Sequence, residues 1–155
     1  MKITKKITPF LWFDNNAGQA AEFYVSVFGG ESRINNSTPL ENTPSVVEVA
    51  VLSVTLAGMD FTFINGWPYL KINEAVSFVI NCEGQAEVDY FWEKLSAVKE
   101  SEQCGWLKDR FGVSWQVVPV RLGELLSGKD GEKAARVTQA MLKMKKLDIA
   151  ELEKA

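Results

Sequence analysis

Apolar and polar positions in the first half of the chain predict five elements in a fixed order. Residues 7–13 are β-branched and aromatic and predict a strand, and apolar residues at helical spacing then predict a helix that ends at Gly29-Gly30. The weakly patterned segment 31–40 predicts an edge strand. The β-branched segment 46–56 predicts a hairpin with 59–64. The predicted order is therefore strand, helix and three strands.

The second half follows the same plan, with a strand, a helix and a hairpin. Residues 75–81 predict a strand, and the apolar spacing over 88–95 predicts a helix. Segments 103–107 and 113–118 predict a hairpin, because the Asp and Gly between them suit a turn. Two short sequence echoes support a repeat: Gly18-Gln19-Ala20 recurs as Gly84-Gln85-Ala86, and the strand after Gly58 resembles the strand after Gly112.

A helical tail follows the repeat. Asp130 is a predicted helix cap, and Asp148 with Glu151 forms a pair typical of a capping box. The apolar residues of the longer tail helix share one face, which predicts packing: Ala134, Val137, Met141 and Met144. We therefore expect one domain, 1–155, with repeat units at about 7–66 and 74–119 and a tail at about 120–155.

Composition excludes several classes of function. The 155 residues carry a formal charge of −3 and a sequence pI near 5.1, which argues against a nucleic-acid partner. No apolar run reaches the roughly 20 residues that span a bilayer, so we expect no membrane contact and a cytoplasmic protein. Cys82 and Cys104 match no metal or redox spacing and are predicted to be free thiols. The chain has no histidine, the commonest general base.

This order of elements resembles the vicinal oxygen chelate superfamily of glyoxalases, dioxygenases and bleomycin-resistance proteins, and specifically its PhnB-like branch. The stretches that carry the resemblance are 7–13, 21–24, 78–82, 103–109, 114–119 and 139–146. The resemblance implies an α+β fold in which tandem βαβββ units form a curved mixed sheet around a concave cavity, with a C-terminal helical tail. It also implies a homodimer.

The resemblance also places the metal ligands of distant members. Matching the strands puts Thr8, Thr62, Ala75 and Gln116 at those four positions. A methyl group, two hydroxyls and one amide hold a divalent transition ion poorly, so we expect no metal and no other cofactor. A one-residue offset would bring Glu74 inward, but one carboxylate still makes a poor cage.

Strand alternation assigns the side chains that face the implied cavity. Aromatic residues are candidates for stacking a planar or cationic ligand, and an amide inside an apolar strand needs a partner. Core packing is the simpler reading of any single aromatic residue. The candidate ligand-binding residues are Gln116, Trp12, Thr62, Phe10, Thr8, Ser77, Trp106 and Glu74.

The leading functional prediction is a metal-free protein that binds a small organic molecule. The alternative is an enzyme of the same superfamily that uses Glu74 or Asp109 as acid or base, or a metal carried by its substrate. Cys104 is a nucleophile only if a neighbour such as Lys108 lowers its pKa. A third possibility is a dimeric partner protein with a cavity filled by its own aromatic residues.

The PhnB-like branch often carries a demethylubiquinone methyltransferase label, which the residues do not favour. No glycine-rich loop follows a strand and opens a nucleotide-binding helix, because Gly29-Gly30 ends a helix and Gly58 and Gly112 turn hairpins. We therefore expect no binding of S-adenosylmethionine.

Overall fold

A computed structural model of the protein describes residues 5–43, 48–66 and 68–155. The chain divides into two compact units, Met1–Ile72 and Asn73–Ala155. This division falls within the predicted connector, while the single domain stays a prediction. The first two residues of the predicted strand 46–56 lie outside the described residues.

The first unit contains one helix and a four-stranded sheet. Its elements are β1 (Phe10–Asp14), α1 (Ala17–Phe28), β2 (Arg33–Leu40), β3 (Val49–Leu56) and β4 (Met59–Gly66). The strand order is β1-β4-β3-β2, with β1 parallel to β4 and the other pairs antiparallel. The predicted βαβββ order of this unit is confirmed, and β2 is an edge strand that is exposed along its whole length.

Aromatic side chains fill the space between α1 and this sheet. The rings of Phe13 on β1 and Phe63 on β4 lie 4.8 Å apart, and Tyr24 of α1 meets Phe63 edge-on at 5.9 Å. All three side chains are buried. Such pairs add stability beyond the burial of apolar area alone. This core fixes which face of each strand points away from the helix.

The β3–β4 hairpin turns at Ala57-Gly58. Both residues have positive φ, 46° and 78°, as a two-residue type I′ turn requires. Glycine adopts this conformation without steric cost, which explains Gly58. The turn sets the register that pairs Leu56 with Met59 and Ser53 with Thr62.

The second unit contains a three-stranded sheet and four helices. Its elements are β5 (Ser77–Cys82), α2 (Gln85–Leu95), β6 (Trp106–Lys108), β7 (Ser114–Pro119), α3 (Val120–Ser127), α4 (Gly131–Leu142) and α5 (Ile149–Lys154), with a 3₁₀ turn at Lys99–Ser101. The strand order is β5-β7-β6, with β5 parallel to β7 and β6 antiparallel to it.

The second unit departs from the predicted plan between α2 and β6. Segment 103–107 is not a continuous strand, because Cys104 and Gly105 have φ of 51° and 85° and form a two-residue turn. Gln103 and Trp106 exchange backbone hydrogen bonds across it, at 3.1 and 2.8 Å. The strand predicted over 103–107 therefore begins only at Trp106, and among the described residues this unit has three strands where the first has four.

The helical tail packs within the second unit through a small apolar core and through a pair of backbone hydrogen bonds, here called the strap. Its core consists of Leu122, Leu125, Val137, Leu147 and Leu152. The backbone N–H groups of Cys104 and Gly105 donate to the carbonyls of Met144 and Lys145, each at 2.8 Å. Gln85 of α2 adds two bonds, donating to the Leu147 carbonyl and accepting from the Ile149 N–H. The tail is thus an integral part of this unit.

Two predicted caps begin the tail helices. The Asp130 carboxylate accepts from the N–H groups of Glu132 and Lys133, and Asp148 accepts from the N–H of Glu151. These bonds satisfy donors that a helix start leaves without partners. Within the described ranges, no helix is long and apolar enough to cross a membrane.

Candidate functional site

The open face of the second sheet carries a polar and aromatic row. The Gln116 amide on β7 donates to the Ser77 hydroxyl on β5 at 2.9 Å. Trp106 on β6 lies opposite Gln116 in the strand register. The flanking residues of β7, Trp115 and Val117, are buried on the other face, as alternation predicts. The structure therefore brings three of the predicted site residues together on one surface.

Beside this row lies an ion pair. The Lys108 ammonium is 3.2 Å from the Glu74 carboxylate. A backbone hydrogen bond within Glu74 itself, followed by the bond and charge of Lys108, holds the pKa of Glu74 below its usual range. The Glu74 side chain is nevertheless 73 % exposed, so water screens this pair. Both residues, together with Trp106, line a cavity of about 630 Å³.

Two of the predicted metal positions lie outside the strands to which they were assigned. Ala75 sits in a turn before β5, because the Asn73 carboxamide accepts its backbone N–H at 3.0 Å and bends the chain there. Thr8 precedes β1 and is exposed. The hydrogen bonds to β4 begin one residue later, where the Pro9 carbonyl accepts from the Thr62 N–H. Strand alternation therefore does not assign either side chain to a sheet face.

On the first unit, the predicted residues share the sheet face that points away from α1. Phe10 and Trp12 on β1 register with Thr62 and Ile64 on β4. Phe10 is 56 % exposed, whereas Trp12 and Thr62 are half-buried. The Trp12 indole lies against Gly66, where an added Cβ atom would come within 2.5 Å of the ring. This face combines aromatic surface with one hydroxyl.

Sequence reasoning missed a polar network on the same face. The Thr55 hydroxyl donates to the Asp60 carboxylate at 2.8 Å and accepts from the Asn35 amide at 2.9 Å. The Lys5 ammonium lies 3.6 Å from Asp60. Alternation along β3 and β4 was a usable signal for Thr55 and Asp60. Asn35 sits at a register shift in β2, which no sequence pattern revealed.

Asp109 is a structural residue of the β6–β7 turn. Its carboxylate is 1 % exposed and accepts hydrogen bonds from the N–H groups of Phe111 and Val113 and from the indole N–H of Trp115. The bonds measure 2.8, 3.0 and 2.7 Å. An acceptor already satisfied by three donors is a poor proton carrier. This geometry does not favour Asp109 as the acid or base of an enzyme.

The two cysteines are free thiols, as predicted, and they have different surroundings. Cys82 is buried at the end of β5, where desolvation, aided by the charge of Glu87, raises its pKa to about 12. Cys104 is half-buried in the two-residue turn and lines the cavity beside β6. Of the two, only Cys104 lines that cavity.

No cluster of three or more His, Cys, Asp or Glu side chains suited to a metal ion occurs in the part of the chain that the structure describes. Thr62 offers a neutral hydroxyl, and the Gln116 amide nitrogen already bonds to Ser77. These donors do not fit the metal that members of the superfamily hold, because divalent transition ions require imidazole, thiolate or carboxylate ligands. The absence of a protein-held metal stays a prediction.

A family model and one solved structure indicate the same family. The family model described as 3-demethylubiquinone-9 3-methyltransferase matches residues 5–118. The PhnB protein from Bacillus cereus is 31% identical, with 75% of this chain and 100% of that chain covered and a TM-score of 0.65. No curated protein matches the chain significantly.

More distant structures share the fold alone. Protein PA1353 from Pseudomonas aeruginosa is 20% identical over 75% of this chain and 98% of its own, with a TM-score of 0.56. The fosfomycin resistance protein FosX from Mesorhizobium loti is 12% identical over 87% of this chain and 100% of its own, with a TM-score of 0.51. The predicted glyoxalase-like α+β fold is thereby confirmed. The chain belongs to the family described as 3-demethylubiquinone-9 3-methyltransferase, the PhnB-like branch of the vicinal oxygen chelate superfamily.

Proposed function

We propose that this protein binds a small organic molecule and does so without a protein-held metal. The observation that carries the proposal is the row on the second sheet, where the Gln116 amide is fixed by Ser77 beside the Trp106 ring. A fixed amide offers directional hydrogen bonds, and an indole offers a flat apolar surface. Binding sites commonly combine mostly apolar walls with a few placed polar groups.

The first sheet supplies a second set of candidate contacts. Phe10, Trp12 and Thr62 share one face, and Asp60 adds a carboxylate to it. The proposal assigns these residues to ligand binding as well, whereas Thr8 is exposed and outside the strand.

The enzymatic alternative has weaker support. Asp109 is saturated with donors, and Glu74 is held ionised beside Lys108, which suits a base more than an acid. Glu74, whose pKa is lowered, lacks the raised pKa expected of a general acid at neutral pH, a property that enzymes obtain by burial. A metal carried by the substrate remains compatible with this alternative.

Methyl transfer from S-adenosylmethionine is disfavoured by the backbone. The family description names such a reaction, and its cofactor needs a nucleotide-binding loop. Within the described ranges, Gly29 and Gly30 follow the end of α1, while Gly58 and Gly112 lie in hairpin turns. These glycines do not fit that cofactor, so isothermal titration calorimetry with S-adenosylmethionine should show no micromolar binding.

The proposal includes a cytoplasmic homodimer, as the family resemblance implies. Light scattering coupled to size exclusion measures the assembly directly. A mass near 17.3 kDa across a range of concentrations would remove the dimer from the proposal without affecting ligand binding.

A thermal-shift screen of aromatic, cationic and anionic small molecules tests the main proposal. Compounds that stabilise the protein are then measured against Gln116→Ala and Trp106→Phe. The matched controls are Gln139→Ala on α4 and Trp92→Phe on α2, which belong to no strand of the row and do not line the cavity. The proposal expects weaker binding to the first pair only. Hits that bind all four variants equally would overturn the assignment to this row.

A further inference from the structure

One cavity of the second unit is lined by residues from separate parts of the chain. It encloses about 630 Å³ between β6, the 3₁₀ turn with its following loop, and the end of α4. Its apolar wall consists of Trp106, Leu107, Met141 and Leu142. A volume of this size accommodates a small organic molecule.

Part of that wall lies beyond the region matched by the family. The family model ends at residue 118. The match to the Bacillus cereus protein includes all of that protein but only 75% of this chain. Met141 and Leu142 belong to the tail that follows. The strap of hydrogen bonds from Cys104 and Gly105 to residues 144 and 145 fixes the end of α4 beside β6. The tail therefore gives this chain a cavity wall that the matched family region does not supply.

Ser114 adds a hydroxyl to the cavity lining. This residue is 2 % exposed and lies opposite Lys108 in the register, on the cavity side of β7. Among the described residues no buried side-chain oxygen lacks a hydrogen-bond partner, so the Ser114 hydroxyl is not an orphaned group.

The charges around the cavity favour a cation. Lys108 is already bridged to Glu74, which neutralises the one positive charge in the lining. Glu100 also lines the cavity and forms no ion pair with any described residue. The face of the Trp106 ring attracts positive charge as well. The lining therefore carries one uncompensated negative charge and a π surface.

We infer that the tail-walled cavity takes an organic cation with an apolar or aromatic body, placing its ammonium group between Glu100 and Trp106 and its body against Met141 and Leu142. This inference rests on the proposed function and names the ligand class. In this inference Met141 and Leu142 of the tail contribute to ligand specificity.

Three naphthalene compounds of matched ring and different charge test the inference. Calorimetry of the 155-residue protein compares 1-naphthylmethylammonium, 1-naphthylmethanol and 1-naphthylacetate. The cation should bind about threefold to tenfold more tightly than the neutral alcohol, as expected for an exposed cation–π contact and one partly screened charge. The anion should bind most weakly. Equal affinities, or preference for the anion, would overturn the inference.

Substitutions locate the binding. Glu100→Gln should reduce the preference for the cation to the part that the Trp106 ring contributes, while leaving the affinity of the neutral alcohol unchanged. Glu93→Gln on α2 is its matched control. Leu142→Ala should weaken all three compounds, whereas Leu126→Ala on α3 should not. Both leucines are partly exposed, 50 % and 37 %, so neither change threatens the fold.

The outcomes separate this inference from the proposed function. If the naphthalene series fails to bind but screen hits depend on Gln116, the cavity inference is wrong and the function survives. If cation binding depends on Gln116 and is unaffected by Glu100→Gln and Leu142→Ala, the ligand class survives and the tail-walled site is wrong. If no compound in either experiment binds, both are wrong.

Discussion

The Trp12 indole lies beside Gly66, and a Cβ atom at that glycine would come within 2.5 Å of two ring carbons. Real Cβ atoms do not approach an aromatic ring so closely. The two residues therefore depend on each other: the missing side chain on β4 makes the space that the indole of β1 fills. This contact shapes the open face of the first sheet.

Gly66→Ala should destabilise the protein by about 1–3 kcal/mol, because the indole has to move from its position. Urea unfolding measures the change. Gly18→Ala is the matched control, since its Cβ meets nothing within 4 Å and its helical position should gain about 0.5–1 kcal/mol. The double variant Trp12→Ala/Gly66→Ala should lose less than the two single changes added together. Full additivity would contradict the contact.

Asp109→Ala should destabilise the protein by about 3 kcal/mol or more, because three N–H donors lose a buried acceptor. Asp130→Ala, which removes only an exposed helix cap, should cost about 1 kcal/mol by the same unfolding measurement. Trp115→Phe removes one of the three donors, so its loss of unfolding free energy should lie between those of the other two variants. Similar losses for Asp109→Ala and Asp130→Ala would show that the turn does not need this carboxylate.

The two thiols should differ in reactivity. At pH 8 Cys82 stays protonated because burial raises its pKa to about 12, whereas Cys104 lies half-buried at a cavity wall. An Ellman assay of the native protein should titrate one thiol rapidly and the second only after unfolding. Cys104→Ser should abolish the rapid phase, and Cys82→Ser should leave it. Two rapid thiols in the native protein would contradict the burial of Cys82.

Glu102 should make stability depend on pH in the acid range. The Ser96 hydroxyl bonds to its carboxylate at 2.6 Å, and this bond, helped by Lys99 and Lys145, lowers its pKa in the folded state. Because its pKa is lower in the folded chain, ionised Glu102 stabilises the fold at pH values above about 4.3, the ordinary glutamate pKa. This stabilisation disappears as the pH falls through the lowered pKa of the folded state. The stability gap between wild type and Glu102→Gln should therefore narrow below about pH 4.

Ser96→Ala gives an independent check on the same carboxylate. It removes the largest cause of the lowered pKa while leaving the charge in place. The free energy of unfolding of this variant should be lower than that of the wild type at neutral pH, and the two values should approach each other in acid. A gap that stays constant from pH 7 to pH 3 in both variants would show that Glu102 titrates alike in the folded and unfolded chains.

The sequence predicted strands and helices well where alternation or helical spacing extended over several residues. Phe61, Phe63, Trp115 and Val117 are all buried on the helix-facing sides of their sheets, and the residues between them face away. Periodicity reports directly which face is apolar. The order of the first unit and both tail caps followed from such signals.

Local hydrogen bonds explain the errors. The Asn73 side chain bends the chain at Ala75, and positive φ values at Cys104 and Gly105 end what the pattern suggested was a strand. Neither effect changes the apolar pattern, so it was not visible in the sequence. The cavity wall formed by Met141 and Leu142 depends on tertiary packing of the tail, which spacing predicted only as a packed face.

The strap between the tail and the turn at Cys104-Gly105 has a consequence for biosynthesis. Residues near 145 are translated some 40 positions after the turn to which they bond, so the second unit remains unfinished while the ribosome makes α3 and α4. Until then its Leu122 and Leu125 side chains have no leucine partners from positions 147 and 152. A nascent chain stalled before that point would expose apolar surface that chaperones recognise.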